Sequence, residues 1–455
     1  MAEDTVFAPA TPAGGAIAMI RISGADTISL LRKFFIPAEK SLDGKEFLEH
    51  RRMTYGRLVN AEGELIDTCT AAYYRAPHSY TGEDMAEVYV HGSPAAMQAA
   101  LEAFGTAARP AEAGEFTKRA FLNGKLDLSG AEAVMDMISA NTELARKAAA
   151  EQLSGGLKKR LDGIYDSMTD AAAYIAAVID YPDEMGDDTV TDAELIKRLG
   201  IIKAEVDALI INGLGSRVLR EGARVAITGE PNAGKSSLLN ALLLRERAIV
   251  TELAGTTRDT IEESSSVMGV PVVFIDTAGL NNAGDKAERL GVERAFAAAE
   301  NSELILWLRQ GDRVFTENEA KLFDSVKAKK HMVLFTKCDA WTKPDPEAEA
   351  FYAEEDILLI SSVTGEGLEA LRQRIAYTLH PTDEPAIVTN TRHINALSEA
   401  SRQLAAAIES CESGMGADCC STDLAEAMHS IGLITGRDAG EDVIDAIFSR
   451  FCVGK

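Results

Sequence analysis

Gly229-Glu230-Pro231-Asn232-Ala233-Gly234-Lys235-Ser236 is the stretch that decides the fold of this 455-residue chain. Gly, four residues, then Gly-Lys-Ser is the phosphate-cradling P-loop. Its glycines let the backbone wrap round a polyphosphate, with successive N–H groups and a helix N-terminus aimed at the anion. The β-rich run Arg224-Val-Ala-Ile-Thr228 precedes the loop and the helix-forming Ser237-Leu-Leu-Asn-Ala-Leu-Leu243 follows it. Lys235 is placed for the β- and γ-phosphates and the Ser236 hydroxyl for Mg²⁺.

Further motifs lie downstream in a fixed order. Gly255-Thr256-Thr257-Arg258-Asp259 sits where a switch loop supplies a threonine to Mg²⁺. Asp276-Thr277-Ala278-Gly279 follows the apolar strand Val272–Ile275, with Asp276 reaching Mg²⁺ through water and the Gly279 backbone sensing the γ-phosphate. Thr336-Lys337-Cys338-Asp339 follows the strand ending at Phe335, and the Asp339 carboxylate can accept from the N1 and N2 donors of guanine, which adenine lacks. Ser361-Ser362-Val363 follows the strand Ile357–Ile360 as the loop that closes over the base. Five elements in this order, each behind a strand where one is needed, predict a GTPase. Two positions depart from the usual pattern. The guanine motif opens on Thr336 where Asn is usual, and position 280 is Leu where a water-orienting glutamine can stand. Glu288, nine residues past Gly279, can orient the water instead, although Lys286–Arg294 also reads as a solvated helix face.

Composition bounds the rest. Hydrophobic residues make up 46% and charged residues 26%, the profile of a globular chain long enough for about three domains. A net charge of −25 argues against a broad basic surface for nucleic acid, leaving only local basic patches. The six cysteines show no metal-like pairing, which suits a reduced cytosolic chain. The acidic start Met1-Ala-Glu-Asp4 is unlike a signal peptide, and no uninterrupted apolar run is long enough to span a bilayer, so a cytoplasmic protein with no membrane contact is expected.

Upstream of the P-loop, residues 1–123 read as an α+β module with strands at Ala16–Ile22, Thr68–Tyr74 and Ala86–Val90 and a helix over Pro94–Phe104. Arg21 and Glu87 are charges inside apolar strands, open to a solvent-facing alternation or to a function. Residues 124–220 are helical: Ser129-Gly-Ala-Glu132 and Thr191-Asp-Ala-Glu194 have capping-box spacing, a helical run covers Leu153–Tyr181, and Gly213 and Gly215 predict a break. The P-loop domain takes 221–380, and 381–455 turns helical again. There Asp423-Leu-Ala-Glu426 offers a cap, and Val443, Ile444, Ile447, Phe448 and Phe451 form a stripe. The simplest architecture joins both helical stretches into one domain, with the P-loop domain inserted between them. The end, Phe451-Cys452-Val453-Gly454-Lys455, reads either as a frayed tail or as a thiol held for chemistry.

These residues together resemble the MnmE (TrmE) family of tRNA modification GTPases over essentially the whole chain. The resemblance is carried by Ala10-Thr-Pro12, Arg21-Ile-Ser-Gly24, Tyr80-Thr-Gly-Glu-Asp84, His91-Gly92, Gly114–Leu128, Gly229–Asn240, Asp276–Leu280 and the cysteine tail. It implies a K⁺-activated GTP hydrolase that works with a flavin-dependent, MnmG-type partner. The pair adds an aminomethyl or carboxymethylaminomethyl group to C5 of the tRNA wobble uridine, using a tetrahydrofolate derivative. It further implies folate contacts at Arg21, Glu87, Lys125 and Lys455, Mg²⁺ ligands at Ser236 and Thr257, and K⁺ ligands at Asn232, Thr251, Leu253 and Thr256. The catalytic roles fall on Glu288 and Cys452. A homodimer paired through its GTPase domains, and a heterotetramer with the partner, are implied as well. Val453 stands where Ile is more usual and Ser362 where Ala is. The rival expectation is a GTPase switch in ribosome assembly without covalent RNA chemistry, and another is a GTP-binding scaffold. Against the first, the sequence shows no appended basic module with a Gly-x-x-Gly loop.

Overall fold

Period-two apolar runs become strands and 3.6-residue stripes become helices. The computed structural model describes residues 4–38, 47–180, 192–243, 261–276, 300–381, 386–413 and 417–454. In chain order the elements are β1 (Val6–Pro9), β2 (Ile17–Ser23), α1 (Thr27–Phe34), β3 (Phe35–Pro37), β4 (Met53–Val59), β5 (Leu65–Tyr74), β6 (Met85–His91), α2 (Pro94–Gly105), β7 (Arg109–Pro110), α3 (Glu115–Leu122) and α4 (Leu128–Ser139). Then come α5 (Glu143–Leu153), α6 (Gly156–Asp180), α7 (Asp192–Glu221), β8 (Ala223–Gly229), α8 (Lys235–Leu243), β9 (Ile261–Val267), β10 (Val270–Asp276), β11 (Leu304–Gln310) and α9 (Glu317–Asp324). The rest are β12 (His331–Thr336), α10 (Pro346–Phe351), β13 (Ile357–Leu359), α11 (Leu368–Leu379), α12 (Thr391–Glu412), α13 (Ala417–Thr435) and α14 (Glu441–Phe448). The chain divides into two compact units, Met1–Met135 with Ile431–Lys455, and Asp136–Ser430.

The first unit holds a seven-stranded sheet in the order β3-β4-β5-β6-β2-β1-β7, antiparallel except for the β1–β7 pair. Ala18, Ile20 and Ile22 of β2 and Ala86, Val88 and Val90 of β6 share one core with Leu31 and Phe34 of α1 and Ala100 and Phe104 of α2. The residues between them, Arg21, Glu87 and Tyr89, therefore look to the opposite face of the sheet. A separate cluster joins Phe121, Leu128 and Ala131 to Ile444, Ile447, Phe448 and Phe451 of the expected C-terminal stripe, with Val443 left exposed at its edge.

The second unit holds a six-stranded sheet in the order β13-β12-β11-β8-β10-β9, parallel apart from the β9–β10 hairpin. Alternation again sorts the residues. Val225, Ile227, Leu306 and Leu308 meet Leu238 and Leu242 of α8 and Leu371 of α11, while Ala226, Ile305, Trp307 and Phe335 meet Phe323 and Tyr352 on the other side. This is a P-loop α/β domain, with both faces of a largely parallel sheet covered.

Four sequence expectations are corrected. The helix α7 runs straight through Gly213 and Gly215 rather than breaking there. A Cβ on Gly213 would lie 2.8 Å from Ile394 Cγ1 and 3.0 Å from Val388 Cγ1, so this glycine admits the side chains of a neighbouring segment instead of ending the helix. The Ser129 box does not cap α4. Asp127 does so one residue before the helix, its Oδ1 accepting from the Gly130 N–H at 2.6 Å. Asp423 lies inside α13, where it accepts from Ser410 Oγ at 3.2 Å. Finally, α6 starts only at Gly156, after a turn in which Gly155 takes a φ of +86°.

Candidate functional site

β8 delivers the chain to the phosphate loop. Gly229 has a φ of +137°, and a Cβ there would sit 2.0 Å from the Leu308 carbonyl of β11, so only glycine lets the strands approach. Asn232 is left-handed at φ +64° and Gly234 at +92°, after which α8 begins at Lys235. The loop thus ends at a helix N-terminus, the arrangement that favours an anion. Lys235 Nζ arches back to donate to the carbonyls of Gly229 at 2.9 Å and Glu230 at 2.8 Å. Ser236 and Ser237 are exposed in the first turn of α8.

The guanine motif leaves the end of β12, two strands from β8. Thr336 is buried, and its Oγ1 donates to the Ala233 carbonyl at 2.7 Å, with the Arg309 carbonyl at 3.0 Å. The departure from Asn at this position therefore keeps a tie to the phosphate loop. Lys337 is left-handed at φ +58° and its Nζ donates to Gln310 Oε1 at 2.8 Å. Asp339 is exposed. The closing loop is shaped by buried Ser361, whose Oγ accepts from the N–H groups of Val363 at 3.2 Å and Thr364 at 3.1 Å; Ser362 beside it is half-buried. The Cys338 N–H donates to the Ile360 carbonyl at 3.2 Å, tying the two loops together. Asp276 ends β10 in register with Ile227 of β8. Thr251, Leu253, Thr256, Thr257, Thr277, Ala278, Gly279, Glu288 and Lys455 lie outside the described residues.

Sequence reasoning missed a charged network behind this loop. Arg309 and Glu319 form an ion pair at 3.3 Å with both side chains fully buried. Tyr352 donates to Glu319 Oε1 at 3.0 Å and itself accepts from Trp307 Nε1 at 2.9 Å. Burial pushes the Glu319 carboxyl above the ordinary range, opposed by the Arg309 charge. Arg313, at the outer end of the network, pairs with Glu230 of the loop at 3.2 Å. The one signal was Arg309 itself, a charge directly after the apolar run Leu304–Leu308.

In the first unit, Arg21 and Glu87 are register partners on β2 and β6, with Arg21 Nη2 donating to Glu87 Oε1 at 3.0 Å. Their side chains are 12% and 11% exposed, which rules out a solvated alternation. Tyr89 donates to Glu87 Oε2 at 2.7 Å, and burial followed by that carboxylate raises the Tyr89 hydroxyl pKa. The guanidinium lies 5.3 Å from the Tyr80 ring and 5.8 Å from that of Phe116. Among the described residues, Arg21 Nε is buried without a hydrogen-bond partner. A carboxylate, an arginine and aromatic rings on one sheet face suit a flat heteroaromatic ligand bearing both donors and acceptors. Lys125 is exposed and borders the Tyr80–Asp84 loop that carries one of these rings, since a Cβ on Gly82 would lie 3.4 Å from Lys125 Cε.

The tail is held rather than frayed. The Gly114 N–H donates to the Cys452 carbonyl at 3.4 Å, and Ala113 bridges Val453. Gly454 is left-handed at φ +93°, and a Cβ there would stand 2.1 Å from the Pro9 carbonyl. Pro9 adjoins Ala8, the register partner of Arg21. The Cys452 side chain remains exposed. Among the described residues no group of His, Cys, Asp and Glu is arranged to hold a metal by itself, and no helix is long and apolar enough to cross a membrane.

A family model described as the MnmE helical domain matches residues 128–452, and one described as the GTP-binding protein TrmE N-terminus matches residues 5–125. The chain is 40% identical to the tRNA modification GTPase MnmE of Aquifex aeolicus (strain VF5), covering 100% of both chains. It is 41% identical to the tRNA modification GTPase MnmE of Chloroflexus aurantiacus, again covering 100% of both. Among solved structures, Aquifex aeolicus Era bound to GDP and AlF4⁻ aligns at 25% identity with a TM-score of 0.29, over 40% of this chain and 66% of that one.

Proposed function

The chain belongs to the MnmE family of tRNA modification GTPases, and from that premise we propose that it is a K⁺-activated GTP hydrolase driving folate-dependent modification of the tRNA wobble uridine. The observation that carries this reading is a phosphate loop tied to a guanine motif through Thr336 and Ala233 in a chain that also buries the Arg21–Glu87 pair.

In this reading the loop N–H groups, Lys235 and the start of α8 hold the β- and γ-phosphates of GTP. Asp339 accepts from guanine, Lys337 and Thr336 support it, and Ser361 and Ser362 close over the base. Ser236 and Thr257 hold Mg²⁺, with Asp276 acting through water, and Asn232, Thr251, Leu253 and Thr256 hold K⁺. Bound there, these cations supply fixed positive charge to the oxygens that become negative as the γ-phosphoryl leaves. Glu288 orients the attacking water.

The modification chemistry belongs to the other unit. Arg21, Glu87, Lys125 and Lys455 bind a tetrahydrofolate derivative, which supplies the one-carbon group. The Glu87 carboxylate and the Arg21 guanidinium orient its ring, and Cys452, its carbonyl bonded to Gly114 and its side chain exposed, acts on the tRNA. The protein works as a cytoplasmic homodimer with a flavin-dependent MnmG-type partner. The functional division is a folate-binding part (1–123), helical parts (124–220 and 381–455) and the GTPase part (221–380).

Mass analysis of wobble uridines in tRNA from a strain lacking this protein tests the reading. The C5 group should be absent and should return with the wild-type chain. Wobble uridines that keep the C5 group, together with defective ribosomal subunits, would replace it with the ribosome-assembly switch.

A further inference from the structure

Asn232 is flanked by two carbonyls, and each is held from outside the loop. Thr336 Oγ1 donates to the Ala233 carbonyl at 2.7 Å, and Arg313 Nη1 donates to the Pro231 carbonyl at 2.8 Å. Between these clamps Asn232 keeps a φ of +64°, a left-handed backbone that asparagine tolerates better than most residues with a Cβ and that the two held carbonyls fix on either side.

Arg313 also answers an electrostatic problem that this sequence sets itself. Position 230 is an acid inside a loop built to receive an anion. The Glu230 side chain is only 8% exposed, its Oε2 lies 3.2 Å from Arg313 Nη1, and its Oε1 lies 3.4 Å from Thr316 Oγ1 at the N-cap of α9. A buried carboxylate next to a polyphosphate site raises the cost of binding unless a cation compensates it. Arg313 is anchored in turn, because its backbone carbonyl accepts from Nη2 of the buried Arg309, which pairs with Glu319. The chain of contacts runs from the interior of the GTPase sheet to the outer lip of the phosphate loop.

We propose that Arg313 is a positioning residue of the phosphate loop: it neutralises Glu230 and holds the Pro231 carbonyl, so that Asn232 keeps the backbone geometry in which its side chain meets K⁺. It acts through Glu230 and Pro231 and does not itself touch the nucleotide. The K⁺ clause rests on the function proposed above, whereas the loop-geometry clause stands without it.

The test uses the full chain as Arg313→Met, Arg313→Lys and the double variant Glu230→Gln/Arg313→Met. Two quantities are read: the dissociation rate of a fluorescent GDP analogue, and GTP hydrolysis as a function of K⁺ concentration. Arg313→Met should speed dissociation and raise the K⁺ concentration for half-maximal hydrolysis, each by about tenfold, the scale of one lost charge-assisted hydrogen bond. Arg313→Lys should recover much of the dissociation rate, because the charge opposite Glu230 returns. Adding Glu230→Gln to Arg313→Met should also slow dissociation towards wild type, yet leave the K⁺ requirement high, since the Pro231 carbonyl still lacks its donor. A purely structural role would not split the two readouts in this way. If Arg313→Met leaves both unchanged, the proposal is overturned. If wild-type hydrolysis is equally fast in K⁺ and Na⁺, the K⁺ reading fails. The dissociation rate then decides alone, and an unchanged rate in Arg313→Met overturns the positioning role.

Discussion

Thr336, the last residue of β12, donates a 2.7 Å hydrogen bond to the carbonyl of Ala233 in the phosphate loop, and both residues are buried. One hydroxyl therefore joins the segment that carries Asp339 to the loop that carries Lys235. Thr336→Val keeps the shape and removes the donor, leaving a buried acceptor unpaired at a cost of roughly 1–3 kcal/mol. GDP affinity should fall about tenfold in a fluorescence titration. Thr336→Asn, which restores an amide donor, should bind nearly as well as wild type. A Thr336→Val protein of undiminished affinity would show that the tie is dispensable.

Asn232 allows its backbone and its side chain to be separated. Asn232→Gly tolerates the positive φ and deletes only the amide. Nucleotide binding should persist while the acceleration of hydrolysis by K⁺ over Na⁺ disappears. Retained K⁺ stimulation would move the cation site elsewhere.

Asp339 is exposed at the end of the guanine motif, where its carboxylate can accept two donors from the base. Asp339→Asn should shift preference from GTP towards xanthosine triphosphate, whose ring offers an acceptor where guanine has the amino group. Competition binding with both nucleotides measures the shift, and an unaltered preference for GTP refutes the assignment.

Cys452 has its carbonyl bonded to Gly114 and its side chain exposed. Cys452→Ser preserves the backbone pin, so GTP hydrolysis should stay within about twofold of wild type, the effect expected of a surface change. Wobble-uridine modification should be abolished, as read by nucleoside mass analysis. Full modification by the serine variant would return the thiol to a packing role.

Glu115 links pH to the stability of the first unit. Burial pushes its carboxyl up, but two bonds from Arg109 (2.8 and 3.0 Å), one from the Glu112 N–H (2.8 Å) and one from Arg119 (2.8 Å) outweigh it. The result is a pKa of about 2 against an ordinary 4.5. Because the folded value is the lower, this contribution is fully present above pH 4.5 and is lost as pH falls towards 2. It amounts to roughly 2 kcal/mol once solvent screening at the partly exposed Arg109 is allowed for. Urea unfolding across that range should show the decline, and Glu115→Gln should flatten it. An equally steep decline in the variant would assign the pH dependence to other carboxylates.

The phosphate loop, its flanking strand and helix, and the strands before the later motifs were legible because buried parallel strands and glycine turns leave local marks. Arg21 and Glu87 were not decidable locally. Only the β2–β6 register shows that they face each other under aromatic cover. Gly213 was misread for a related reason: whether a glycine ends a helix or admits a neighbour depends on Ile394, far along the chain. The caps at Ser129 and Asp423 followed a spacing rule that Asp127 and the length of α13 override. The Arg309–Glu319 pair joins a strand end to a following helix, and spacing alone does not reveal such a contact.

The close seat of Gly454 against Pro9 carries a consequence for the order of synthesis. The unit begun by residues 4–135 is completed only by residues 431–454, so its Phe121–Leu128–Ala131 cluster cannot be covered until the intervening second unit has been synthesised. At roughly 5–20 residues per second, that is a wait on the order of 15–60 s. Throughout it the apolar faces of Phe121, Leu128 and Ala131 lack the Phe448 and Phe451 that cover them in the finished protein. The second unit, contiguous in sequence, can fold in the meantime. A nascent chain that stalls late in translation therefore carries an N-terminal sheet whose own core is complete but whose Phe121–Leu128–Ala131 cluster is bare, an adhesive patch that the finished protein hides.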